Sequence, residues 1–373
     1  MMFRKHLIRT QFKSLTMKSN FLRFIYCCLV CTVFLALFSC QKEASTDTVT
    51  FQQLIPLKTI VSSETVALSN PSIIRYNPVV DEIYIYDSQQ RVVYRIDSWG
   101  TQLGTIGRVG NGPGEFERIS GIFIGTDCLY LVDDLQFLVH QFTLNGEFIE
   151  SFDYGFHSTS VVNKVSVSRD GVVYIPDDTS QEYIIRSYTW DGREIDQFGI
   201  IPEGSTLQID YAELRNAVKE RRVPSFFERN AFVIPGISDQ TIVYNATGNV
   251  HHYRDSELLW QSHDSSPARR DTIAKPYYEI MGQILQHADA LQVLRVYEQG
   301  SAIDEFVYIS TNTSFGQEMQ LHVFDNNGDL LKVLVFESKS NLTGSFDINE
   351  KAGLVYVGNS DAEIIAYDLN VGH

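Results

Sequence analysis

The sequence has little of what most enzymes need. Of its five cysteines, Cys27, Cys28, Cys31 and Cys40 fall in the first 40 residues, and only Cys128 stands in the remaining chain. One cysteine excludes an internal disulfide framework, so the fold must be held by packing. After residue 40 there is no H-E-x-x-H, no G-x-S-x-G and no C-x-x-C, which removes the commonest signs of zinc, serine-nucleophile and thiol chemistry. Gly110–Gly114 is glycine-rich but lacks the Lys-Ser/Thr of a phosphate loop, and it joins strands rather than opening a helix. Positive charge is scarce too. Residues 1–39 hold six basic and no acidic side chains, which leaves 24 basic against 46 acidic in the rest. Such an acid excess repels phosphate backbones and excludes nucleic acid as a partner. The chain has one long apolar run, Ile25–Phe38, and its fourteen residues are too few for a comfortable permanent span.

That run has a basic, acid-free start before it and a small residue, Ser39, after it, the pattern of an export signal. Met17 begins a shorter signal of ordinary length, so both starts stay open. The segment Leu37-Phe38-Ser39-Cys40 resembles the bacterial lipoprotein box. The resemblance implies cleavage before Cys40 and a lipid on its thiol. On this reading residues 1–39 are a lipoprotein signal peptide and residues 40–48 a polar tether. The expected address is the bacterial outer membrane, facing the periplasm or the outside, with the lipid anchor in the membrane.

The remaining chain is rhythmic. A tyrosine recurs in six β-prone runs: EIYIYD (Tyr84), CLYLVD (Tyr130), VVYIPD (Tyr174), TIVYNA (Tyr244), FVYIST (Tyr308) and LVYVGN (Tyr356). Each is preceded by one β-run and followed by another that ends in an apolar or aromatic position. Asn145-Gly146, Asp191-Gly192 and Asn327-Gly328 supply tight hairpin turns to a further strand. Four antiparallel strands in about 40–50 residues, repeated, are a propeller blade. The fold class expected is all-β: one six-bladed β-propeller over residues 49–373. The last copy lacks an outermost strand, and Val49–Ile60 has no other partner. The N-terminal strand should therefore close the ring.

EIYIYDSQQRVVYRID followed by GRVGNGPGEF resembles the NHL-type repeat of six-bladed propellers. With the lipoprotein box, the whole chain is similar to six-bladed propeller lipoproteins common in gut Bacteroidetes. That resemblance implies a fold, not an activity.

Two insertions, 200–229 and 264–292, break the period. Tyr211–Arg222 is helix-prone, and the Tyr277–Leu291 stretch carries apolar residues at i, i+3, i+4, i+7, predicting an amphipathic helix that starts after Pro276. Both insertions join an outer strand to the next inner strand, as does the Gly107–Arg118 loop, so all three should gather at one mouth of the central channel. A candidate binding site there is Arg108, Arg118, Arg221, Arg222, Phe226, Phe227, Tyr277 and Tyr278. Arginine forks with aromatic faces suit an acidic or sugar-like ligand.

Asp87, Asp133, Asp177 and Asn359 stand three after a repeated tyrosine and read as turn caps rather than metal ligands. His251-His252 reads as a surface pair whose members point to opposite faces. These readings favour a binding or scaffold module for a glycan, peptide or protein, with no cofactor and no metal. The alternative is a metal-dependent hydrolase or lyase, similar to gluconolactonase-like propellers, which hold a metal in the channel. The nearest ligands for one here are Asp347 and Glu298, then Asn230.

Overall fold

A computed structural model describes residues 49–370 apart from 156–163, 178, 237–239, 246–247, 264–266, 293, 312 and 314–317. The signal, Cys40 and the tether lie outside the described residues. Six sheets follow one another along the chain, each an antiparallel meander. Blade 1 begins with the inner strand Pro71–Asn77, blade 2 with Ile119–Ile124 and blade 3 with Ser166–Val167. Blade 4 begins with Ala231–Pro235, blade 5 with Tyr297–Ile303 and blade 6 with Leu342–Asn349. The inner strands touch one another in cyclic order, and the last touches the first. The six expected sectors are present.

The leading segment divides between two blades. Thr50–Leu54 adds to blade 5 as a fifth strand, parallel to Leu330–Phe336. Pro56–Val61 then pairs antiparallel with Ile364–Asp368 and supplies the outer strand that blade 6 lacks. The expected closing strand is therefore a two-blade latch. Each piece buries its C-terminal end: Leu54, Ile60 and Val61 are buried while Phe51, Ile55 and Leu57 stay exposed.

In blades 1, 2 and 6 the recurrent tyrosine is a wedge between blades. The Tyr84 hydroxyl donates to the Leu144 carbonyl of blade 2 at 3.3 Å. Tyr130 stacks on Trp190 of blade 3 at 5.2 Å, and Tyr356 on Tyr76 of blade 1 at 5.8 Å. One large ring with a polar tip fills the inter-blade gap and still finds a partner.

The acidic residue three places later is a cap, as its position suggested. Asp133 accepts from the N–H groups of Leu135 and Gln136 in its own turn, and from Glu117 and Arg118 in the loop entering the blade. Asp87 does the same for Gln89, Gln90, Ser69 and Asn70. Asn359 caps only its own turn, through Asp361 and Glu363. Asp133 is fully buried, so Asp133→Ala leaves several donors unpaired at once. We expect a loss of about 3 kcal/mol in urea unfolding, against about 1 kcal/mol for Asn359→Ala.

The insertions form a small helical cap. Helix α1, Tyr211–Glu220, starts at Asp210, whose carboxylate accepts from the Ala212 and Glu213 N–H groups. It ends at Arg221, which takes the left-handed conformation at φ 55°. Helix α2 runs Pro267–Ile284, ten residues earlier than the expected start, with Pro276 inside it. A proline within a helix forfeits one backbone bond. Here Ala274 before it, and Tyr277, Tyr278 and Met281 after it, are buried together in the cap, and Ile273 is buried against blades 4 and 5, and that burial outweighs the loss. Among the described residues no helix is long and apolar enough to cross a membrane.

Candidate functional site

The inner strands surround an axial cavity of about 460 Å³. Its lining follows from the tyrosine repeat. In an antiparallel pair, directly opposed residues share one face. Opposite the six tyrosines stand Arg75, Phe123, Ser166, Phe232, Ser301 and Asp347, one per blade. All six line the cavity. The register across each hairpin thus sets which residue each blade presents near the axis.

The ring has two unlike halves. Blades 5, 6 and 1 give Ser301, Asp347 and Arg75, and these are spent on groups of the ring itself. Asp347 Oδ2 accepts from Tyr76 N–H at 2.8 Å, and Oδ1 from Ile348 N–H at 3.0 Å and Ser301 Oγ at 3.2 Å. Arg75 donates to the carbonyls of Ile122 at 3.0 Å and Phe346 at 3.4 Å, in blades 2 and 6. Ser345 Oγ accepts from Ile74 N–H at 2.9 Å and donates to Gln299 Oε1 at 3.2 Å. These bonds clasp the seam where the last blade meets the first. Burial pushes the Asp347 carboxyl above the usual carboxylate range, although the Arg75 cation and its hydrogen bonds oppose the shift.

Blades 2, 3 and 4 give the other half, Phe123, Ser166 and Phe232. Ser166 is 2% exposed, and its hydroxyl has no hydrogen-bond partner among the described residues. Two residues earlier on the same strand direction, Lys164 also reaches the cavity. Its ammonium meets Glu298 of blade 5 at 3.5 Å, and Arg295 meets the same Oε1 at 3.6 Å. Burial would raise the Glu298 carboxyl, but Lys164 and Arg295 outweigh it and hold it below its ordinary value. Desolvation by the surrounding protein lowers the Lys164 amine, although about a third of its side chain stays open to the cavity. These three charges stand where the inner strands begin, the end from which both helical insertions enter blades 4 and 5.

The eight residues expected at the mouth do not form one site. Phe226, Phe227, Tyr277 and Tyr278 are buried with Leu214, Val218 and Met281 as the core of the cap, so their faces are used in packing. Arg108 pairs with Glu115 at 2.6 Å inside its own loop, and Arg118 with Asp134 at 2.6 Å. Arg222 pairs with Glu213 and Glu220. Arg221 and Tyr278 do meet, in an open groove between α1 and α2 shared with Arg215, Lys219 and Glu279. None of the eight lines the axial cavity. The histidine pair is also corrected. His251 and His252 are buried, His251 against Tyr253 and His252 against Trp260.

Of the metal-site candidates, Asp347 and Glu298 line the cavity, whereas Asn230 does not. Asp347 is occupied by three donors, and Oε1 of Glu298 is already shared by two cations, so a divalent ion there would have to compete with charges in place. Among the described residues no three His, Cys, Asp or Glu side chains gather as a metal cluster. This donor set does not fit a resident metal. What the sequence reading missed was Arg75, Lys164 and Ser166. Counting across each hairpin from the tyrosine would have found Arg75 and Ser166.

A family model described as a 6-bladed beta-propeller matches residues 37–197, from the end of the apolar run through blade 3. With the six sheets, this defines the chain as a six-bladed β-propeller. No curated protein matches it in sequence. A crystal structure from Bacteroides fragilis NCTC 9343, of a protein whose name gives export as an inference, is similar at TM-score 0.51 and 13% identity, covering 87% of this chain and 96% of that one. A streptogramin B lyase is similar at TM-score 0.47 and 8% identity, covering 82% and 95%. A virginiamycin B lyase from Staphylococcus aureus is similar at 0.43 and 9%, covering 81% and 85%. At these identities the likeness is one of fold.

Proposed function

We propose that the protein is an exported, lipid-anchored binding module that takes a polar ligand, a glycan or peptide, into its axial channel. The observation that carries this reading is the divided ring. One half is consumed in holding the blades together, and the other presents a buried unpartnered hydroxyl between two phenylalanines. A cavity of this size suits a ligand of a few sugar or amino-acid units. The reading of the address rests on the basic start, the apolar run and Leu37-Phe38-Ser39-Cys40, and the family match begins at that same Leu37. The name of the Bacteroides neighbour accords with it.

Residues 41–373, screened on glycan and peptide arrays, should bind a polar ligand. Ser166→Phe, which places a large side chain at the unpartnered hydroxyl, should abolish that binding, while Arg222→Ala on the cap leaves it unchanged. Circular dichroism establishes that both variants are folded. Metal analysis of the same sample should find no stoichiometric ion. One tightly held divalent ion per chain, or binding indifferent to Ser166→Phe, would overturn the proposal.

A further inference from the structure

The row Arg295–Glu298–Lys164 has two cations on one carboxylate. It carries one excess positive charge within a molecule whose net charge is −16. Lys164 stands at the cavity end of that row. Its side chain is 36% exposed, and its contact with Glu298 at 3.5 Å is long for a charge-assisted bond. Its ammonium has three donors, and Ser166 lies on the same face of the strand. An anionic group beside Lys164 would complete an alternating row of charges, plus, minus, plus, minus. From there the cavity continues past Ser166, between Phe123 and Phe232.

We propose that the channel selects a small carboxylate with a ring or apolar body: the acid on Lys164, a polar atom on Ser166 Oγ, the body against the half-buried Phe123, while Phe232 is packed in the core with Arg295 over its ring. This rests on the reading of the channel as the ligand site and narrows it to one chemical class. Arg169 and Asp170 also line the cavity and together add no net charge to it, so the cation chosen for the test is Lys164. Arg295 still faces Glu298 when Lys164 is replaced, so the substitution strands no buried carboxylate.

Ligand-observed NMR tests this with glucuronate, phenylacetate and cinnamate against their neutral amides, on residues 41–373. The acids should bind at least roughly tenfold better than the amides, since a charge-assisted bond is about twice as strong as a neutral one. Lys164→Met should erase that preference, and Glu298→Gln, which releases a second cation, should tighten acid binding several-fold. Acids and amides bound alike, or acid binding unmoved by Lys164→Met, would overturn the carboxylate while leaving a channel ligand standing. No binding of any acid, amide, sugar or peptide by the folded wild type would overturn both.

Discussion

A chain beginning at Ser62 should fail to fold. The loss removes Thr50–Leu54 from blade 5 and Pro56–Val61 from blade 6, baring two strand edges at once. It also removes Leu54, Ile60 and Val61, which are 0%, 3% and 0% exposed. Each such side chain contributes about 1.5–3 kcal/mol by burial. Their sum approaches the 5–15 kcal/mol that holds a typical domain folded. Bared edges template association between chains. We therefore expect insoluble or aggregated product in size-exclusion chromatography. Phe51→Ser, by contrast, changes a side chain 63% exposed and should leave stability within about 0.5 kcal/mol. A monomeric, cooperative truncation product would show that the latch is an ornament.

Asp347→Ala should be the most damaging single substitution on the axis. It leaves the Tyr76 and Ile348 N–H groups and the Ser301 hydroxyl without their acceptor and removes the carboxylate facing Arg75. Removing one partner from a buried charged network costs about 3–5 kcal/mol. The pH dependence gives a second check. Burial raises this carboxyl in the folded state, so folding favours its protonated form. Its contribution is then fullest below the unfolded value near 3.9 and declines as pH rises through the folded value. The penalty of Asp347→Ala should shrink, not grow, between pH 4 and pH 8 in denaturant titrations. A penalty that increases with pH would mean the carboxylate is held chiefly by its ion pair.

The fold was legible because tyrosine marks the second strand of every blade, and that strand is the most apolar and regular part of the repeat. The caps at Asp87 and Asp133 were legible for a local reason: the turn lies within three residues. The latch was half legible. A missing strand called for the leading segment, but nothing local announces that Thr50–Leu54 first joins a different blade in parallel. The mouth was misjudged because arginines and aromatics on an insertion look alike whether they meet ligand or each other. Tyr277, Tyr278, Met281 and Leu285 at helical spacing form the cap core, and among the described residues no exposed aromatic shelf remains there. The channel was half legible: Asp347 and Glu298 were placed in it, but Arg75, Lys164 and Ser166 escaped because the inner strands are short and mixed in polarity. Arg75, Ser166 and Asp347 become one ring only when each is counted across its own hairpin.

The most direct test of ring closure is a disulfide trap between the leading segment and the last blade. Thr59 and Ile365 are opposed in the antiparallel pair, where Cα separations of about 4.5–5.5 Å fall within disulfide reach. In a chain of residues 41–373 carrying Thr59→Cys and Ile365→Cys, the only other thiol is the buried Cys128. Mass spectrometry after mild oxidation should find an intramolecular 59–365 link in the monomer, together with a higher Tm than the reduced form. Free thiols at both positions, or links found only between chains, would contradict a ring closed by its own first strand.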